Sequence, residues 1–420
     1  MRSRMNGILP RKELQRLYQR ALTEDLLFED FGPKTTVACI ALILAVAACL
    51  AISLAASARQ AELSPQGCYD ALQHNLPARA ATLERRLVRA FGRWLNRRMR
   101  RRARVMAIDF HLIDYYGEPA KHRKELYRSK AKNGTSDYHA YATICIIEKG
   151  ERYTLALTWV RAKEPVTVVI ERLLEAVAEQ GFAIRRLLLD RGFFSVDVMK
   201  LLQDRDLPFL MPVVIRGRKP KGKPPTQRQK SEKRNAEGRS RTKEKSKARS
   251  LRDYRGRANG RYDHTMKNGA GAEVGFDVVV SSRVYEHHRT KERCRQKLLY
   301  AAWRVSGRPC DVRDQYRRRF GIEASYRQLK AARIRTCSRD PILRLFLVGL
   351  ALLLRNIWVW AQQHVARQHS GRKRERKLKE VTLAVVMQIL AGIASPRPAS
   401  AAEDAAQQRL AVLLEILGST

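Results

Sequence analysis

Two aspartates stand at the ends of apolar runs: Asp109 in Val105-Met-Ala-Ile-Asp-Phe, and Asp190 in Leu187-Leu-Leu-Asp-Arg-Gly-Phe-Phe. A carboxylate held at the rim of a buried strand is rigid and calls for a cation, as metal sites built from strand ends do. The same placement also suits a helix cap or a salt-bridged rim residue. A third acid, Glu323, lies in Asp314-Gln-Tyr-Arg-Arg-Arg-Phe-Gly-Ile-Glu-Ala-Ser-Tyr-Arg-Gln-Leu-Lys, where Tyr316, Arg319, Glu323 and Lys330 are spaced at offsets 0, 3, 7 and 14. On one continuous helix these fall near 0°, −60°, −20° and −40°, within about a sixth of the circumference. A stripe facing solvent is the plain alternative. Gln315, Arg317, Arg318 and Gln328 already furnish the opposite flank, so a second ordered polar stripe containing a tyrosine calls for a partner.

The elements that must position these residues read as a mixed α/β pattern. Val105 to Phe110, Tyr138 to Ile147 and Tyr153 to Val160 are β-branched and aromatic runs, with a hairpin turn at Glu148-Lys-Gly-Glu-Arg. Strand and helix then alternate: a helix over Val166 to Glu179, a strand over Ile184 to Asp190, a helix over Ser195 to Gln203 and a strand over Leu207 to Val214. That rhythm adds parallel strands to the same sheet. Further on, Glu273 to Val280 and Leu298 to Val305 read as strands and Asp311 to Ala332 as one helix. Pro341 to Trp360 reads as a long apolar helix that carries Arg344, Arg355 and Asn356 and so packs on a sheet. Two more helices follow Arg374, the last around Leu410 to Leu417.

The first hundred residues read as all-helical. Val37 to Ala56 runs 20 residues without a charge, enough to span a bilayer core, but eight are Ala, two Cys and one Ser, so a buried helix is the expected outcome. Ser64 and Pro65 form a good helix start, and the pairing of a long with a short capped helix resembles a helix-turn-helix. In Leu83 to Met99, Leu83, Leu87, Phe91, Trp94 and Leu95 are at helical spacing beside an arginine face that is either solvated or in contact with phosphates.

Charge limits the function classes. The chain has 83 Lys and Arg against 41 Asp and Glu, a formal +42 over 420 residues. Such self-repulsion is relieved by a polyanion, so a metabolite-only enzyme is not the default. The excess is concentrated: 19 Lys and Arg against four acids between Val214 and Arg261, and ten Arg with no acid between Arg85 and Arg104. The former stretch is nearly free of aromatics and reads as a loosely held basic loop. Seven cysteines with no Cys-x-x-Cys pair fit neither a disulfide framework nor a zinc site, and suit a reducing cytoplasm. The N-terminus lacks a secretory signal pattern.

Tyr316, Arg319, Glu323 and Lys330 match the Y-x2-R-x3-E-x6-K signature, and the chain therefore resembles the DDE transposases of the insertion-sequence-four superfamily. Asp109 and Asp190 match that family's two aspartates in order and context. Tyr138-His-Ala-Tyr-Ala-Thr, Leu187-Leu-Leu-Asp-Arg-Gly-Phe and Phe320-Gly-Ile-Glu are most similar to the branch first known from halophilic archaea. The resemblance covers about residues 80 to 365. It implies an RNase H-like mixed-sheet catalytic core with a β-containing insertion, preceded by a helical N-terminal domain. The expected divisions are a DNA-end-binding domain over 1–100, catalytic core over 101–213 and 309–370, an insertion over 214–308 and C-terminal helices over 371–420.

The implied activity is cleavage of the element's terminal inverted repeats and transfer of their 3′-hydroxyls to target DNA. Two Mg²⁺ ions, for which Mn²⁺ can substitute, would activate the attacking oxygen and neutralise the leaving one. Asp109 would bridge both ions, with Asp190 and Glu323 each completing one. Arg319 and Lys330 would contact phosphates, and Tyr316 would orient one by its hydroxyl. The implied partners are double-stranded DNA, both element ends and target, and a second copy of the chain in the DNA-bound dimer. No small-molecule substrate or membrane is expected, and the location is the nucleoid-associated cytoplasm. A nuclease or resolvase without strand transfer, and a non-catalytic basic protein bound to nucleic acid or membrane, are the alternatives. Asp114 is a second candidate first acid, though its place after the strand and before Tyr115-Tyr-Gly suggests a turn; Gly321 is costly inside the signature helix, which allows a kink or a start near Ile322; and Trp303 fits either a buried strand position or a flipped-base stack.

Overall fold

In the computed structural model the described residues are 9–118, 124–148, 151–215, 250–286 and 291–392. The chain divides into two compact units, Met1–Ala183 with Phe320–Thr420, and Ile184–Arg319. Most of the basic stretch from Val214 and the expected helix at Leu410 to Leu417 lie outside the described residues.

The first unit opens with helices α1 (Arg11–Arg20, continued by a π turn over Ala21–Asp25), α2 (Val37–Leu50), α3 (Leu54–Gln60), α4 (Pro65–Asn75) and α5 (Ala80–Gly92). The uncharged run is split between α2 and the start of α3. Thr36 caps α2 by accepting from Cys39 N, and Ala51 ends it in the left-handed region at φ 53°. At 1.5 Å per residue α2 is about 21 Å long, short of a bilayer core of about 30 Å. It is buried on most sides, and the Ser57 hydroxyl of α3 donates to Ile43 O at 2.8 Å. Ser64 caps α4 by accepting from Gly67 N, with Pro65 at its first position, as its sequence foretells. The stripe on α5, together with Trp94 and Leu95, is buried.

Four strands follow: β1 (Arg104–Asp114), β2 (Tyr127–Lys132), β3 (Thr135–Ile146) and β4 (Thr154–Val160), then α6 (Val166–Glu179). β3 pairs antiparallel with β1, in a register that sets Asp109 opposite Thr143, and also with β2 and β4. These include the three antiparallel strands read from the sequence. β2 carries Arg128, Lys130 and Lys132 and is mostly exposed, so no hydrophobic alternation announces it.

In the second unit β5 (Ile184–Leu189) and β6 (Phe209–Pro212) are parallel, joined through α7 (Val196–Asp204). β6 continues antiparallel into β9 (Arg293–Trp303), which pairs with β8 (Glu273–Glu286), which pairs with β7 (Gly260–Lys267). The insertion thus has a third strand, β7, whose alternating half-buried and exposed residues begin at the end of the basic stretch. α8 (Pro309–Arg317) closes the unit.

The expected single helix from Asp311 to Ala332 is two helices. Arg318 N bonds Gln315 O at 3.2 Å and Arg319 N bonds Tyr316 O at 2.9 Å, so the last turn tightens to i,i−3 bonds and the helix ends. α9 (Phe320–Ala332) starts afresh in the first unit, followed by α10 (Pro341–Gln368), α11 (Gly371–Glu380) and α12 (Leu383–Leu390). α10 is long and apolar enough to cross a membrane, yet 83% of its most apolar window is buried. Its Asn356 accepts from Thr154 N at 2.9 Å and donates to Thr154 O at 2.8 Å, which fastens it to β4. Arg355 donates to Arg152 O at 2.7 Å, and burial lowers its pKa to about 10. The fold class is mixed α/β, consistent with an RNase H-like core preceded by a helical N-terminal region.

Candidate active site

Asp109 lies where β1 emerges from the core: Val105 to Ile108 are buried, and burial falls off from Asp109 onward. The strand itself continues to Asp114, so Asp109 sits within the ladder rather than at its end. One carboxylate oxygen accepts from Phe110 N at 2.9 Å. Its carbonyl accepts from the hydroxyl of Tyr326 at 2.9 Å, and the same hydroxyl is 2.8 Å from Thr143 Oγ1, on the residue opposite Asp109 in the register. His111 stacks on the Tyr326 ring at 4.8 Å, and burial, followed by the charges of Arg333 and Lys330, lowers its pKa to about 4.

Tyr326 belongs to α9, one turn beyond Glu323, so α9 brings the turn bearing Glu323 to the strand bearing Asp109. Glu323 and Lys330 are both exposed and two turns apart, hence on one face. Gly321 precedes them because Arg152 passes close: a Cβ there would lie 3.0 Å from Arg152 Nε. With the helix starting at Phe320, Gly321 falls in a first turn rather than mid-helix.

The other predicted residues are in the second unit. Asp190 follows β5 and precedes a 3₁₀ turn over Arg191–Phe193. Its side chain is 41% exposed, with Arg319 Nη2 3.6 Å away, and Arg319 is buried. Tyr316 on α8 is buried, its ring 5.2 Å from that of Tyr300. The four signature residues therefore do not share one helical face: Tyr316 and Arg319 are buried at the end of α8, while Glu323 and Lys330 are exposed on α9. Asp114, expected in a turn after the strand, is instead the last residue of the β1 ladder, opposite Tyr138, and accepts from Asn133 Nδ2 at 3.0 Å. Trp303 is half-buried on β9, stacked on Phe209 at 6.3 Å with Arg304 4.5 Å from its ring centre.

Among the described residues no group of three or more His, Cys, Asp or Glu is gathered closely enough to hold a metal. The donor chemistry of Asp109, Asp190 and Glu323 nonetheless fits a hard divalent cation, since all three offer only carboxylate oxygens. The arginine-rich stretch is partly structural. Arg93 pairs with Asp25 at 2.5 Å and Glu24 at 2.6 Å, Arg104 with Glu151 at 2.5 Å and Glu148 at 2.7 Å, and Arg102 with Glu148 at 2.9 Å. Arg86 and Arg100 donate to backbone carbonyls. The acids that were missing within the helix come from the π turn and the β3–β4 hairpin.

A sequence profile of the transposase DDE domain matches residues 100–357, more than half of the chain. The chain belongs to the DDE transposase domain family. The match runs from just before β1 into α10 and so includes Asp109, Asp190 and Glu323. Enzymes of this family use divalent metal ions. Among solved structures, the chain is similar to a piggyBac transposase in a synaptic complex with hairpin DNA, with 10% identity, a TM-score of 0.46, and 93% of this chain and 84% of that one covered. A comparison with curated proteins gives no match. Sequence reasoning about this DDE transposase missed Tyr326 and Thr143. Tyr326 lies one turn from Glu323, the only signal that could have singled it out.

Proposed function

We propose that this DDE transposase belongs to the insertion-sequence-four superfamily, in the branch most like that of halophilic archaea. It binds the terminal inverted repeats of its element, cleaves the ends and joins the 3′-hydroxyls to target DNA. One observation carries the reading. The Tyr326 hydroxyl, one turn from Glu323, bonds the backbone of Asp109 from 217 residues away, which docks one acid's helix on the other acid's strand. The Y-R-E-K spacing and the cationic chain support it.

Asp109, Asp190 and Glu323 are the proposed holders of two Mg²⁺ ions, which when bound supply an activated oxygen nucleophile and charge neutralisation at the leaving oxygen. Asp109 is fixed by its ladder and by Tyr326, so its carboxylate needs little reorganisation. Arg319 lies against Asp190 and is the proposed contact to a phosphate oxygen, with Tyr316 orienting a phosphate by its hydroxyl. Lys330 presents a point charge on the Glu323 face. Residues 1 to 100 read the ends, and the chain acts as a dimer on paired ends in the nucleoid-associated cytoplasm.

Purified protein with its element's ends, a target plasmid and Mg²⁺ tests this. Wild type is expected to release 3′-hydroxyl ends and join them, while Asp190→Asn and Glu323→Gln do neither. Cleavage without joining would make the chain a nuclease or resolvase. Wild-type activity in both variants would overturn the site.

A further inference from the structure

A cavity in the first unit, of about 520 Å³, lies at the far end of β1 and is walled by the segment that joins α9 to α10. Its size is within the range that takes a small ligand. Arg333, Arg335, Arg339 and Arg344 line it, together with Tyr116 and the acid Asp114. The Asp114 carboxylate is engaged by Asn133. Arg333 and Arg344 are half-buried and close enough to repel. Burial, and for Arg333 the neighbouring Arg344 as well, weakens the hold of each on its proton. Asp114, on the same cavity wall, attracts Arg333 and partly offsets this. Arg344 donates from Nε to Ser338 O at 2.5 Å, which fixes its stem. Two desolvated guanidiniums that share one nearby carboxylate, already engaged by Asn133, keep an excess of positive charge suited to a bridging anion. Tyr116 is 68% exposed, its hydroxyl tied to Asn133 O at 3.0 Å, so a ring face is held in place and open.

We propose that this cavity holds one nucleotide of single-stranded DNA, its phosphate bridged by Arg333 and Arg344 and its base laid against Tyr116. Guanidiniums that track the backbone and an aromatic platform for the base are the combination that binds single strands. The inference rests on the proposed DNA chemistry. Asp114 lies five residues along β1 from Asp109, about 16 Å, so a strand cut at Asp109 meets the cavity within a few nucleotides. The site therefore grips the frayed strand of an element end.

Fluorescence anisotropy on the full chain in EDTA tests it, with a labelled single-stranded oligodeoxynucleotide, a blunt duplex and an RNA of the same sequence, and inorganic phosphate as competitor. Arg333→Gln and Arg344→Gln are each expected to weaken single-strand binding about tenfold and to flatten its log–log salt slope by about 0.7. Tyr116→Ala should weaken it about tenfold with the slope unchanged. Blunt duplex binding should be unaffected by all three. Unchanged single-strand binding, an equal loss on blunt duplex, tighter binding of RNA, or displacement by millimolar phosphate would each overturn the assignment. Should the half-buried variants unfold, exposed Arg335→Gln and Tyr116→Ala carry the same comparison. A wild type that binds in this pattern yet fails to cut DNA in Mg²⁺ overturns the proposed activity alone; one that cuts without this pattern overturns the cavity alone.

Discussion

Tyr326 holds two contacts with one hydroxyl, and both converge on the strand position of Asp109. Tyr326→Phe keeps the ring against His111 and removes both bonds, at a cost of about 1 kcal/mol in stability. DNA cleavage should fall by roughly tenfold with unchanged DNA affinity, because Asp109 is displaced and not removed; single-turnover assays beside thermal melts check this. A drop in affinity alone would speak against a positioning role. Glu84 is a second instructive residue. Its carboxylate accepts from Thr158 Oγ1 at 2.9 Å and Trp159 N at 2.8 Å, yet burial raises its pKa above the usual 4.5. The folded state thus binds its proton more tightly, and stability falls as pH rises from about 4.5 through the raised value. Glu84→Gln keeps an acceptor without the charge, so its melting temperature should exceed wild type at pH 7, and the gain should vanish below pH 4.5. At this scale Asp109, Asp190 and Glu323 were legible because acids among apolar neighbours are conspicuous. Tyr326 was not, since a core tyrosine looks the same whether or not its hydroxyl is used.

Among elements, α10 shows how a helix that is long and apolar enough to cross a membrane is packed into the core. Asn356 satisfies both backbone groups of Thr154, and Asn356→Ala would strand two buried polar groups. The expected loss is about 2–4 kcal/mol in denaturant unfolding. Gly349 faces Leu87 so closely that an added Cβ would lie 2.5 Å from Leu87 Cδ2. Gly349→Ala should destabilise by about 1–3 kcal/mol through overpacking of α10 on α5. Strands β1, β3 and β4 and helix α6 were legible because their apolar periodicity is strong. β2 and β7 were not, being polar or alternating only with half-buried residues. The break between α8 and α9 was signalled only by Gly321, whose cost allowed a kink or a helix start near Ile322; its position, set by the hydrogen bonding of Arg318 and Arg319, was not, because Arg318-Arg319 carries no helix-breaking residue.

For the whole molecule, +42 sorts into parts with different work. Five of the ten arginines between Arg85 and Arg104 are occupied by acids or carbonyls that lie elsewhere in the chain, and sequence spacing gave no sign of those partners. Charge composition pointed to a polyanion without saying what is done to it; the profile match over residues 100–357 assigned the chemistry to a DDE transposase domain. The central claim is that Asp109 and Glu323 act as one device. Mg²⁺-dependent cleavage rates of Asp109→Asn, Glu323→Gln and the double variant test it most directly. Each single change is predicted to cost about 10³-fold or more, with the double variant no slower than the slower single, since groups that act as a unit are lost together. Losses that multiply in the double variant, or a single variant at the wild-type rate, would contradict it.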